Sequence, residues 1–478
     1  MTVKQTIKVL LLLTCFGTTF AYAQISSFQH VIIVIQENRT PDNLFQGLCT
    51  APFGKSTSCS VTPVGSQYDI QTTNWFDKTS STGTTQPTTV TLDNTYDPSH
   101  THLAFTDMCD LDSTGVCLMD GGADNSCTGV CPPKVPYHYV TNSTGILNPY
   151  LGIAKQYGWA NYMFQTNQGP SFPAHQFLFG GTSAPSADDD AIGTFAAENM
   201  TPYYTPDAGC IALEGVTVKL ITPQGERQSV YPCFDHETMS DLFDSIDVSW
   251  KYYTESNGSI WTAPNAIDHI CVPSEPTGGN CTGSDYINNV IIKPAQVLTD
   301  IGDCKLAQVS WVIPTGQNSD HPKGNTGGGP SWVASIVNAI GKNPACPDNE
   351  VYWNNTAIVI TWDDWGGWYD HEPPTFLAGA QGDYQYGFRV PMLFVSAYTP
   401  AGYVDNNRMD FGTVLRFVEQ NFGIAEGALD FADARATGDL AEFFNLDLVP
   451  RPFQTIPAPL DANFFINDKT PPTDPDDY

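Results

Sequence analysis

Two short apolar runs, each ending abruptly in polar oxygen donors, constrain this chain more than anything else in it. The first is His30-Val31-Ile32-Ile33-Val34-Ile35-Gln36, followed by Glu37-Asn38-Arg39-Thr40. The second is Ile358-Val359-Ile360-Thr361-Trp362, followed by Asp363-Asp364-Trp365-Gly366-Gly367-Trp368-Tyr369-Asp370-His371. Continuous β-branched runs of this length read as strands buried on both faces, the pattern of a parallel sheet. In such sheets ligands bind beyond the carboxyl ends of the strands. The two strand ends are therefore expected to meet and hold a metal ion.

The rest of the chain supplies the sheet around them. Strands are expected at Val248–Tyr253, Gln308–Ile313 and Pro391–Ser396, with helices at 148–157, from Ser171, at 239–246, 331–341 and 413–421, and 157–164 as the segment leading into the Ser171 turn. Segments 48–95 and 255–303 read as loop inserts, and 180–207 as irregular. Strands alternating with helices give an α/β three-layer sandwich around a mostly parallel sheet. A helix is expected to open near Tyr96–His102, capped by Asp97 or Ser99.

Residues 1–23 have the form of a signal peptide: Lys4 and Lys8, the apolar run Val9–Leu13, then Ala21-Tyr22-Ala23 as a cleavage site. No other stretch could cross a bilayer, so no stable membrane anchor is expected. Cys15 lies in the leader, which leaves twelve of the 13 cysteines. They fall in even local groups: Cys49 and Cys59; Cys109, Cys117, Cys127 and Cys131; Cys210 and Cys233; Cys271 and Cys281; Cys304 and Cys346. In an exported chain these read as local disulfides, with a zinc cluster at 109–131 as the lesser alternative. The expected organisation is a leader at 1–23, one catalytic domain at 24–469 and a disordered Pro- and Asp-rich tail at 470–478.

The net charge of −31 excludes non-specific binding to nucleic acid, which needs a basic face. An anionic substrate would need positive charge supplied locally, by a metal or by histidines. Adjacent carboxylates at a buried strand end repel unless a cation sits between them, which makes Asp363-Asp364 the stronger half of the metal reading. Glu37-Asn38 alone is equally consistent with a loop hydrogen-bond network. Ser171, in Gly169-Pro170-Ser171-Phe172-Pro173-Ala174-His175, sits on a rigid turn at a helix start. There it is either an ordinary cap or a nucleophile beside an anion-binding helix terminus. The stretch echoes the sulfatase spacing, but His175 stands where a sulfatase needs Arg. His100, His102, His321 and His371 occupy Pro- or Gly-flanked turns suited to acid–base work; His138, His175, His236 and His269 have no comparable setting.

Taken together, His30–Phe45, Asp97-Pro98-Ser99-His100, Gly169–Pro173, Val248–Tyr253, Asp320-His321-Pro322, Ile360–Pro374 and Gly387–Pro391 resemble the bacterial phosphoesterase family. That family unites phosphatidylcholine-type phospholipases C with a secreted acid phosphatase branch. The resemblance runs from about Phe28 to about Asn445. It implies an alkaline-phosphatase-like α/β fold and secreted, metal-dependent hydrolysis of a phosphate ester, either a phospholipid headgroup or a small phosphomonoester. It further implies one divalent or transition metal ion on Glu37, Asn38, Asp363, Asp364 and Ser171, with Ser171 as nucleophile. His100 and His321 would line the phosphate site, and His371 lies in a family motif. Many phospholipase C members carry Thr where Ser171 stands, and many have extra carboxyl-terminal domains. Both departures leave lipid specificity open. A non-catalytic metal- or carbohydrate-binding protein on the same fold is the alternative from a different class.

Overall fold

The computed structural model describes residues 26–202, 208–343, 346–347, 350–377 and 384–471. The expected leader at 1–23 and positions 472–478 of the expected tail lie outside these residues. Eight strands form the central sheet: β1 His30–Gln36, β2 Gly158–Phe164, β3 Trp250–Thr254, β4 Val290–Ile292, β5 Val309–Val312, β6 Thr356–Trp362, β7 Met392–Val395 and β8 Tyr403–Asp410. Their order is β4-β3-β5-β1-β6-β7-β2-β8. Only β7 runs against the rest, pairing antiparallel with β6 and β2. Every residue of β1 and β6 is buried, as expected of strands covered on both faces.

Side chains show how the sheet is covered. Trp311 of β5 is in register with Ile33 and, through it, with Val359. Trp362 lies three residues beyond Val359 and so faces the opposite side. Trp311 packs against Phe179, from helix Ser171–Gly180, and Phe243, from helix Met239–Asp244. Trp362 packs against Tyr150, from helix Asn148–Gln156. Helix Phe411–Phe422 joins the first layer against Ser171–Gly180, and helix Gly329–Lys342 joins the second against Asn148–Gln156. This is the expected three-layer sandwich. Among the described residues no helix is long and apolar enough to cross a membrane.

All twelve cysteines are paired locally, as 49–59, 109–117, 127–131, 210–233, 271–281 and 304–346, so the zinc alternative at 109–131 falls. Four expectations need correction. The segment 255–303 is not all insert, because its β4 forms one edge of the main sheet. The other edge, β8, was not anticipated: its three central residues are exposed, and its register shifts between Asp405 and Arg408, which spoils any periodic pattern. The helix after Tyr96 begins at His102, capped by the Thr101 hydroxyl accepting from the Ala104 amide, while Tyr96–Pro98 is extended. Residues 180–207 include a short helix at Ala187–Ala191 and strand Phe195–Ala196, which belongs to a separate three-stranded sheet with Val218–Thr222 and Gly225–Val230. At the end of the described chain, the Pro471 carbonyl accepts from Gln317 Nε2 at 2.6 Å.

Candidate active site

Parallel pairing puts Gln36 opposite Trp362, so the polar residues that follow each strand emerge side by side. Two further backbone bonds extend the ladder into the loops: Asp363 N–H to Gln36 O (2.9 Å) and Arg39 N–H to Asp364 O (3.0 Å). The Asn38 amide N–H donates to Asp363 Oδ1 at 3.0 Å across 325 positions of sequence. Asn38 has φ of 63°, a left-handed conformation that asparagine tolerates better than most residues. Gly366 lies so close that a Cβ there would stand 2.3 Å from Asn38 O, and its own φ is 62°. Both its conformation and this contact require glycine.

Ser171 is the first residue of its helix and fully buried, with Oγ donating to Asp364 Oδ2 at 3.2 Å. Gln165, just past β2, holds the turn before it. Its Nε2 donates to Asn167 O (2.9 Å) and Gly169 O (3.1 Å), while its Oε1 accepts from Trp365 N–H at 3.0 Å. One amide thus ties the serine's turn to the loop carrying Asp364. Asn199 Oδ1 accepts the Phe172 amide at 2.9 Å, satisfying one donor of the helix terminus.

Glu37, Asn38, Asp363, Asp364 and Ser171 are all fully buried. Asn38 Oδ1 and Asp363 Oδ2 have no hydrogen-bond partner among the described residues. Three buried carboxylates with orphaned oxygens beside them call for a cation. An oxygen-rich set of this kind suits a hard divalent ion, and a nearby imidazole widens the choice to iron or zinc. The donors therefore fit a metal centre.

That imidazole is His175, which sequence reasoning passed over. Its Nε2 lies 3.2 Å from Glu37 Oε1 and 3.9 Å from Asp363 Oδ2, and these three residues can bring one ligand atom each within 4.8 Å of one another. Its Nδ1 is 3.4 Å from the Tyr252 hydroxyl, which itself donates to Trp261 O at 2.6 Å. One signal was present in the sequence: His175 follows Ser171 by four residues, a single helical turn on the same face.

The four expected histidines separate. His100 joins the site, with Nδ1 3.0 Å from Pro98 O and Nε2 3.3 Å from Asn38 Nδ2. Donation from Nδ1 leaves Nε2 to accept from the Asn38 amide, which fixes that amide's orientation. His102 turns away, to Glu226 Oε1 (2.7 Å) and Gln168 Oε1 (3.3 Å). The His321 ring is 6.1 Å from that of His100 and 5.9 Å from Trp261, with Nδ1 2.8 Å from Pro322 O. The buried Arg39 guanidinium steadies its loop, with Nε and Nη2 donating to Asp320 O at 2.9 and 2.7 Å.

His371, expected among the catalytic residues, is engaged by carboxylates outside the Glu37, Asp363 and Asp364 group. Both its nitrogens are engaged, by Asp42 Oδ2 (2.7 Å) and Asp69 Oδ1 (3.0 Å). Beside it Arg389 makes a two-pronged contact with Asp370 at 2.9 and 3.0 Å and lies 3.3 Å from Asp69. Burial works against the imidazolium, but the Asp42 charge and the two carboxylate bonds outweigh it and push the His371 pKa up to about 10. Both ring nitrogens are thus committed to carboxylates of the scaffold.

A family model described as the Phosphoesterase family matches residues 28–425. The hemolytic phospholipase C of Pseudomonas aeruginosa is 24% identical over 326 residues, covering 62% of this chain and 41% of that protein. The non-hemolytic phospholipase C of Burkholderia pseudomallei is 30% identical over 233 residues, covering 39% and 32%. A solved protein in the alkaline phosphatase superfamily from Vibrio parahaemolyticus superposes with TM-score 0.32 at 8% identity, over 58% of this chain and 61% of that one. The matched region spans well under half the length of these curated relatives.

Proposed function

The chain belongs to the phosphoesterase family, and from that premise we propose that it hydrolyses phosphate esters with Ser171 as nucleophile. One metal ion would be held by Glu37, Asn38, Asp363, Asp364 and Ser171. The observation that carries this reading is the Ser171 Oγ bond to Asp364 Oδ2, made at a helix terminus beside the orphaned oxygens of Asn38 and Asp363. A metal bound there would supply Lewis-acid charge for the phosphoryl oxygens and the serine oxygen.

The protein's own groups do the rest. Asp364 orients the Ser171 hydroxyl and accepts its proton as Oγ attacks phosphorus in line and the bond from phosphorus to the ester oxygen breaks. The leaving alcohol takes a proton from His321; water, its proton accepted by His321, then attacks phosphorus and releases phosphate as Asp364 returns the proton to the serine oxygen. His100 acts by holding the Asn38 amide, and His175 by holding Glu37. The buried walls around Ser171 exclude bulk water.

The substrate is a phospholipid headgroup or a small phosphomonoester, as in the phospholipase C and acid phosphatase branches of the family. The leader-like residues 1–23 and the six disulfides support export to an oxidising compartment. We assign 24–469 to a single catalytic domain. Turnover of an aryl phosphate, a phosphodiester and phosphatidylcholine micelles, measured with metal analysis of the same protein, tests the reading. A metal-loaded protein inert on all three would return it to the binding-protein class.

A further inference from the structure

We propose that a polar pocket beside the nucleophile, walled by the small three-stranded sheet, is the subsite for the alcohol part of the ester, and that it selects a hydroxyl-bearing alcohol over a quaternary ammonium one. The proposal rests on the phosphoesterase reading above. The pocket has a volume of about 190 Å³, and its lining includes His100, Pro170, Thr101, Glu198, Asn199 and Lys219. That is room for about six waters at their liquid volume, hence for a small polyol or a sugar ring. Its link to the nucleophile is direct: Pro170 precedes Ser171, Asn199 holds the Phe172 amide, and His100 holds Asn38.

Its chemistry follows from a short chain of contacts. Lys219 Nζ is 3.4 Å from Glu226 Oε2, Glu226 Oε1 is 2.7 Å from His102 Nδ1, and the His102 amide N–H donates to Glu198 Oε1 at 3.0 Å. Burial, together with the neighbouring Glu226 charge, pushes the Glu198 carboxyl up to about 7. In its neutral form that carboxyl both donates and accepts, as a bound hydroxyl requires. Asn199, Thr101 and Lys219 add further hydrogen-bonding groups around the same space. Among the described residues no Phe, Tyr or Trp lines the pocket, so none of them offers the aromatic cage that recognises quaternary ammonium groups, and the Lys219 ammonium opposes such a ligand. Glu198 and Lys219 lie outside the central sheet: Lys219 is on the strand Val218–Thr222, and Glu198 follows Phe195–Ala196. The disulfide 210–233 staples this region, so the wall is built separately from the site it serves.

The test compares kcat/KM for glycerol phosphate, phosphocholine and an aryl phosphate on the full-length metal-loaded protein. The wild type should favour glycerol phosphate over phosphocholine at least tenfold. Glu198→Leu should lower the ratio of glycerol phosphate to aryl phosphate turnover at least tenfold, and Glu198→Gln, which keeps donor and acceptor, should restore most of it. Wild-type preference for phosphocholine, or an equal fall on all three substrates in both variants, overturns the subsite. If the wild type turns over none of the three, the phosphoesterase reading itself fails, a result distinct from loss of selectivity.

Discussion

Two groups of three buried carboxylates lie at the same end of the sheet and are fed by the same two loops. The loop after β1 supplies Glu37 to one and Asp42 to the other; the loop after β6 supplies Asp363 and Asp364 to the first and Asp370 to the second, which Asp69 completes. The second group is neutralised from within, by the His371 imidazolium and the Arg389 guanidinium. The first has His175 as the histidine facing two of its carboxylates, and it retains orphaned oxygens at Asn38 and Asp363. Buried acids that carry their own counter-charges are scaffold, whereas buried acids short of positive charge are a place for a ligand to supply it.

Four experiments can break or sharpen that contrast. The largest expected effect is on chemistry: Ser171→Ala should cut kcat/KM on an aryl phosphate about a thousandfold or more, about 4 kcal/mol of barrier, with an unchanged far-ultraviolet dichroism spectrum. Turnover within tenfold of wild type would remove the covalent step. Next, Asp370→Asn should destabilise the protein by about 3 kcal/mol in urea unfolding, because the Arg389 charge loses its two-pronged partner. Its metal content should stay at the wild-type level.

Asp363→Asn should do the reverse. Metal affinity should fall about tenfold to a hundredfold in a competition titration, while the metal-free protein should unfold at the same temperature as wild type or higher, since like charges are relieved. If removing Asp363 destabilises the metal-free protein as much as removing Asp370, the two groups do not differ as described. The smallest effect is a pH slope. The His371 pKa is raised from about 6.5 to about 10, so its contribution is fully present below about pH 6.5 and is lost as pH rises toward 10. Unfolding free energy should therefore decline across that window, at up to about 1.4 kcal/mol per pH unit, and His371→Gln should flatten the decline.

The same contrast explains what could be read from the chain itself. Glu37-Asn38 and Asp363-Asp364 were legible because each follows an unbroken apolar run, and the parallel register then does the rest. His371 looked like its neighbours for the same local reason. What separates it is contact with Asp42 and Asp69, about three hundred residues away, and no local pattern carries that. His175 failed oppositely: its setting inside an apolar helix suggested packing, although its spacing from Ser171 held the clue. In the sheet, β4 is only three residues long and β8 is largely polar with a register shift, so neither edge carries the apolar signature of the buried strands.

The 325 positions between Asn38 and Asp363 have a kinetic consequence. Contacts between distant segments form late, because a long loop must close before they can stabilise anything. A chain emerging from synthesis therefore has three of its five proposed donors until β6 has docked beside β1. Any amino-terminal fragment ending before that strand should be blind to the ion. Binding then reports completion: the metal would reward the finished fold and leave partial ones unstabilised, so that an ion added during refolding should accelerate no early phase and strengthen only the last.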